Sequence, residues 1–259
     1  MTTGECIHGL EVPLCDVCFP RAVPEPAPPA AGSTSTRSPS SRADRSAPPS
    51  RRPAGGTGPA VDLDRQRVQH VTHLENLLSI LADGEIRAGA MPAVDVSSAT
   101  ARDLRATTAL PGGGSAADRV AFYLTADADR WRELRSGAAG PQWSDAARAS
   151  RPADFVILVA ALGVLGDVVL ADGDAAATPT RFASVTHDRP TASRMLRRLV
   201  ADPEALRRAE ALGPPDVPID EIQLGVVAND PVRERVRGLL DDAGIRLRVA
   251  VNPPSFALD

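Results

Sequence analysis

The chain has 259 residues, 43% of them hydrophobic and 3% aromatic, with a formal net charge of −4 in which all 29 basic residues are Arg. This suffices for one ordinary globular domain with an appendage, and the charge excludes a chain that grips nucleic acid by bulk positive potential, although a local basic groove stays open. No stretch approaches the ~20 apolar residues of a membrane helix, and the N-terminus lacks the basic-then-apolar start of a secretory signal, so the expectation is a cytoplasmic protein with no membrane partner.

The three Cys all lie in the first 18 residues. Cys6, His8, Cys15 and Cys18 form C-x-H-x6-C-x2-C, a donor set suited to a tetrahedral structural Zn²⁺. An odd number of Cys in a reducing compartment favours metal over disulfide. Residues 1–20 are therefore read as a zinc-binding module, whose folding energy has to come from the metal because it has no core. Residues 21–60 are mainly Pro, Ala, Ser, Gly and Arg. They contain too little apolar surface to offset chain entropy and read as a disordered linker, made locally basic by Arg37, Arg42, Arg45, Arg51 and Arg52.

From Val61 onward, over 61–259, the pattern is globular. Leu74, Leu77, Leu78 and Leu81 recur at helical spacing, with Thr72 as N-cap and Gly84 as the stop. Strands are predicted over 120–124, 155–159 and 167–170. One or two Arg-rich helices cover 191–212, interrupted near Asp202 and Pro203. A strand over 222–227, a helix over 231–242 and a strand over 245–251 complete the chain. Strands and helices alternate too irregularly for a doubly wound sheet, so the fold class is α+β.

Segment 69–77 reads QHVTHLENL and sets two His and an Asn where an extended stretch meets a helix, beside free helix N–H groups. Its spacing resembles the first block of the DarT family of ADP-ribosyltransferase toxins, H-x-T-H-x-x-N-L followed by I-L and a Gly. The matching residues are His70, Thr72, His73, Asn76, Leu77, Ile80, Leu81 and Gly84. The second block is an Arg before a Gly-containing loop and a strand close to V-P-F-Y-F. Here it is matched by Arg102, with Arg105 competing for the same place, then by the PGGG of 111–114 and the VAFYL of 120–124 with Tyr123. The third is a Glu before a short strand, for which Glu210 in AEAL fits best, with Glu204 and Glu221 as alternatives. The sequence departs from the family at Ala121 and Leu124, in the stretch 125–131, which lacks the usual Pro and Ser, and in the C-terminal 253–256, which lacks an aromatic pair. No P-loop or Rossmann pattern follows a strand.

The resemblance implies a split β-sheet core and an enzyme that uses NAD⁺ as substrate to modify a base in single-stranded DNA, as a toxin or phage-defence effector. It implies a partner antitoxin with ADP-ribosyl hydrolase activity. His70 would bond the ribose or the adjacent amide, Thr72 and Asn76 the nicotinamide end and neighbouring phosphate, and Tyr123 would stack on nicotinamide. Glu210 would hold a ribose hydroxyl and stabilise the cation, Arg102 would serve the acceptor, and His73 would brace the turn. The competing readings are transfer to RNA or protein, and a degenerate, zinc-tethered binding protein.

Overall fold

The computed structural model describes residues 61–257. The zinc motif and linker of residues 1–60 lie outside the described residues. The domain begins with β1 (Arg67–His73), α1 (Leu74–Asp83), β2 (Glu85–Arg87), α2 (Ala99–Thr107), β3 (Ala121–Tyr123), α3 (Asp129–Arg135) and α4 (Asp145–Ala149). It continues with β4 (Phe155–Ala161), β5 (Val169–Ala171), β6 (Phe182–Ser184), α5 (Arg189–Ala201) and α6 (Pro203–Arg208). The last elements are β7 (Glu210–Leu212), β8 (Asp216–Pro218), β9 (Leu224–Val227), α7 (Asp230–Asp242) and β10 (Val249–Val251).

The sequence FVILVAA of β4 is buried along nearly its whole length, the signature of a central strand covered on both faces. It pairs with β1 over seven residues, from Arg67 opposite Ala161 to His73 opposite Phe155. The sheet order is β10-β9-β4-β1-β3-β7-β5-β6, with β2 and β8 forming a separate ribbon. Every pairing in the large sheet is antiparallel except β9 with β10, as the α+β class requires.

Alternation along β4 and β1 sends residues to two cores. Val68, Val156, Leu158 and Ala160 join α1, α5 and α7 in the larger one. Phe155, Ile157 and Val159 meet Trp131, Trp143 and Phe256 in the smaller one. Trp131 packs edge-on against Phe155 and Phe256 and donates its indole N–H to the Ser255 carbonyl at 2.8 Å, which fastens the C-terminal residues to α3. Among the described residues no helix is long and apolar enough to cross a membrane.

Several boundaries differ from the sequence reading. Helix α1 is capped by His73, whose ring accepts the Glu75 N–H at 3.3 Å, not by Thr72, which is still in the β1 ladder opposite Val156. Pairing with β4 carries the strand one residue further than capping preference alone suggests. Gly84 does end the helix, at φ 74°, where a side chain would be strained. The helical reading of 191–212 breaks at Asp202, whose carboxylate accepts from Glu204 and Ala205. It then fails beyond Arg208, because Glu210, Ala211 and Leu212 enter the sheet between β3 and β5. All three are buried, and tertiary pairing there outweighs the helical propensity of Glu, Ala and Leu. The last strand is shorter than expected, 249–251 instead of 245–251.

Candidate active site

Cross-strand register brings two of the expected residues side by side. Gln69 faces Tyr123, Tyr123 faces Glu210, and Glu210 faces Ala171. Directly paired residues project from the same face of a sheet, so the Tyr123 ring and the Glu210 carboxylate stand as neighbours. Helix α2, capped by Ser98, brings Arg105 to the same face. Its Nη1 donates to Glu210 Oε2 at 2.9 Å, with the side chains only 16% and 3% exposed. Burial alone disfavours the charged guanidinium, but the Glu210 carboxylate overrides it and the net shift of Arg105 is upward. The other terminal nitrogen of Arg105 is buried and has no hydrogen-bond partner among the described residues, a donor whose desolvation is uncompensated until a ligand meets it. The Tyr123 hydroxyl is pushed up to about 12, by burial first and by Glu210 against the opposing pull of Arg130. A neutral phenol offers its ring as a flat surface.

His70 bonds the Ala121 carbonyl through Nδ1 at 2.9 Å and packs edge-on against Phe122. A carbonyl only accepts, so Nδ1 carries the proton and Nε2 keeps its lone pair. Burial lowers the pKa of His70 against the opposing effect of that hydrogen bond. Thr72 and Asn76 are both buried. The Asn76 carboxamide donates to the Val94 carbonyl at 2.9 Å and accepts the Val94 N–H at 2.8 Å, with a longer contact to the Thr72 hydroxyl at 3.4 Å. It therefore pins the loop after β2 onto α1. His73 caps α1 and lies edge-on to Phe155.

The two competing arginines of α2 are separated by the fold. Arg102 is exposed, pairs with the Asp95 carboxylate and donates to the Ser97 carbonyl at 2.8 Å, whereas Arg105 reaches Glu210. Of the three candidate carboxylates, Glu210 lines the pocket, while Glu204 and Glu221 do not. His70, Thr72, His73, Asn76, Arg102, Arg105, Tyr123 and Glu210 surround one pocket of about 480 Å³, within the range of small-molecule sites. Among the described residues no group of three or more His, Cys, Asp or Glu is arranged to hold a metal.

The sequence reading did not find Arg130 and Trp143. Both line this pocket, with the Arg130 guanidinium 4.9 Å from the centroid of the Trp143 ring and its Nε 3.8 Å from Asp174.

The family model described as ssDNA thymidine ADP-ribosyltransferase, DarT, matches residues 69–257. The chain belongs to the DarT family. It is accordingly an NAD-dependent ADP-ribosyltransferase that modifies a base in single-stranded DNA. The DarT of Thermus sp. 2.9 in complex with ADP-ribosylated ssDNA superposes with a TM-score of 0.63 at 21% identity, over 74% of this chain and 97% of that one. The same Thermus protein in complex with NAD⁺ gives 0.60 at 21% identity, over 75% and 98%. DarTG of Thermosipho africanus in complex with ADP-ribose gives 0.55 at 18% identity, over 74% of this chain and 51% of that one. At such identities the likeness establishes the DarT fold. No curated protein matches the chain.

Proposed function

We propose that the chain moves the ADP-ribosyl group of NAD⁺ onto a thymine of single-stranded DNA, with Glu210 and Arg105 as the pair at the reacting centre. The observation that carries this reading is the buried contact of 2.9 Å between them, beside Tyr123. In the transfer, the bond from nicotinamide nitrogen to ribose C1″ breaks and a bond from C1″ to a base nitrogen forms. The pair of electrons leaves with nicotinamide, and the proton of the attacking nitrogen passes to solvent water. C1″ is oxocarbenium-like between these events, and a fixed carboxylate in a water-poor site stabilises it. Glu210 supplies that charge and holds a ribose hydroxyl. Arg105 offsets the buried anion, and its second terminal nitrogen meets an oxygen of the acceptor base as negative charge develops there. Tyr123 stacks on nicotinamide, and His70 accepts a hydroxyl or amide N–H at Nε2. Thr72 forms the wall at the nicotinamide end, Asn76 acts through the loop it pins, and Arg102 serves the acceptor strand from the rim. An unpaired base reaches the pocket without the cost of extrusion from a duplex.

In the same proposal, residues 1–20 are a structural zinc module with Cys6, His8, Cys15 and Cys18 as ligands. Residues 21–60 are the linker and 61–259 the transferase domain. The protein works as a cytoplasmic toxin or defence effector restrained by an antitoxin with ADP-ribosyl hydrolase activity. Elemental analysis of the purified full chain is expected to find one equivalent of zinc, reduced by Cys15→Ser; metal-free protein rejects the module. Incubation with NAD⁺ and single-stranded oligonucleotides that differ at one base, read by intact mass, tests the transfer. One added ADP-ribose only where thymine is present is the expected result. Nicotinamide release with unmodified DNA, or a mass gain independent of thymine, refutes it.

A further inference from the structure

Five arginines line the pocket: Arg87, Arg102, Arg105, Arg119 and Arg130. Four of them hold a carboxylate within 2.9 Å, namely Arg87 on Glu85, Arg102 on Asp95, Arg105 on Glu210 and Arg119 on Asp167. Arg130 differs. Its nearest carboxylate, Asp174, is 3.8 Å from Nε, beyond hydrogen-bond distance. Neither of its terminal nitrogens hydrogen-bonds another described residue, although the side chain is only 18% exposed. Besides that long ion pair, it is held by the Trp143 ring, 4.9 Å to the centroid. That ring is fixed in turn by burial and by its N–H, which donates to Glu133 at 3.3 Å. A guanidinium held over an indole has little freedom left to lose, and its bidentate edge, the two terminal nitrogens, has no hydrogen-bond partner among the described residues. The matching ligand is an oxyanion with two oxygens on that edge.

Position selects which oxyanion. Arg130 enters from α3, beyond the end of β3 at which Tyr123 stands, and acts electrostatically on the Tyr123 hydroxyl. His70 is bonded to Ala121 at the other end of the same strand. If NAD⁺ presents its nicotinamide ribose between His70 and Tyr123, then Arg130 stands on the side from which the acceptor comes. Arg130 also lies in 125–131, where this chain departs from the family pattern.

We propose that Arg130 binds a backbone phosphate of the acceptor strand next to the modified base, a role that rests on the DNA-modifying activity proposed above. Steady-state kinetics with a thymine-containing oligonucleotide tests it. Arg130→Met is expected to raise the acceptor KM by roughly 10- to 100-fold, the worth of a bidentate charged contact, and the NAD⁺ KM far less. The slope of log KM against log salt should fall by about 0.7, as for one phosphate on a single strand. Arg130→Lys should keep the salt slope and lose part of the affinity, because a point charge replaces the fork. A scan of single methylphosphonates through the oligonucleotide needs no variant. One position should weaken the unmodified protein as much as Arg130→Met does and should add nothing in that variant. An unchanged acceptor KM and salt slope, no sensitive position in the scan, or a larger rise in NAD⁺ KM than in acceptor KM overturns the assignment, the last by placing Arg130 on the dinucleotide diphosphate. Failure of the unmodified protein to label any oligonucleotide instead removes the activity itself, and with it this role.

Discussion

The two walls of the pocket use their polar groups in opposite ways. On the α1 side, the Asn76 carboxamide is engaged by Val94 through both its oxygen and its nitrogen, and His73 is engaged by Glu75 as the helix cap. On the α2 and α3 side, a buried nitrogen of Arg105 and both terminal nitrogens of Arg130 have no hydrogen-bond partner among the described residues. A satisfied buried network rigidifies a structure, whereas unmet buried donors are a cost that a ligand relieves. Under the proposed function the first wall sets the shape of the pocket, and the second meets the reacting groups. Substitutions on the first should register mainly in stability, and those on the second mainly in turnover.

The largest expected effect is at Glu210. Glu210→Gln removes the charge and keeps the shape, and nicotinamide release should fall by about 10³-fold, the scale for losing one preorganised electrostatic partner. Glu204→Gln and Glu221→Gln, outside the pocket, should stay within about twofold on the same assay, since surface or remote substitutions leave the transition state untouched. Equal loss in Glu204→Gln would move the reacting carboxylate to α6.

Arg105 and Arg102 sharpen the contrast within one helix. Arg105→Met leaves Glu210 buried without its counter-charge and should lower turnover by about 10²-fold. Arg102→Met, at the exposed rim, should cost only about threefold, chiefly in acceptor KM. The reverse order would give Arg102 the role at the reacting centre.

On the satisfied wall, Asn76→Ala breaks both contacts with Val94. It should destabilise the domain by about 2 kcal/mol and lower the melting midpoint by about 5 °C, with the surviving folded fraction turning over at a normal rate once NAD⁺ is saturating. A variant with unchanged melting and lost turnover would contradict the assignment of Asn76 to the scaffold.

The smallest effect concerns pH. Folded His70 takes up a proton less readily than the unfolded chain, whose ordinary value is 6.5. As pH falls through that value the unfolded state gains the proton first, so this part of the stability is present above about pH 6.5 and is lost on acidification. The melting midpoint should decline between pH 7 and pH 5.5. His70→Asn, which keeps a donor for the Ala121 carbonyl, should flatten that decline, and an equally steep decline in this variant would assign the titration elsewhere.

Some of this was legible from residue types and spacing. The apolar run of β4, the 3.6-residue rhythm of α1 and the stop at Gly84 are written within a few neighbours, and local geometry turns them into structure without help from the rest of the chain. The block from His70 to Gly84 was readable through its resemblance to the DarT family pattern. The N-cap was misread by one residue because the ladder to β4, more than 80 positions away, extends β1 through His73.

What only the tertiary structure decided are relations across long separations. Glu210 looked like the end of an Arg-rich helix, and three residues of EAL carry no period by which a strand is recognised. The flanking β3 and β5 make them one. Arg102 and Arg105 are three residues apart and chemically alike, and only the position of α2 over β7 sends one to Glu210 and the other to Asp95. Arg130 and Trp143 meet because α3 and the loop before α4 pack on the same face of the sheet. The sequence by itself determined the elements whose pattern is local, such as α1 and β4, and its resemblance to the DarT family marked the first block. The sheet order determined which charges face one another, because Coulombic and hydrogen-bond partners are chosen by distance in space and not along the chain.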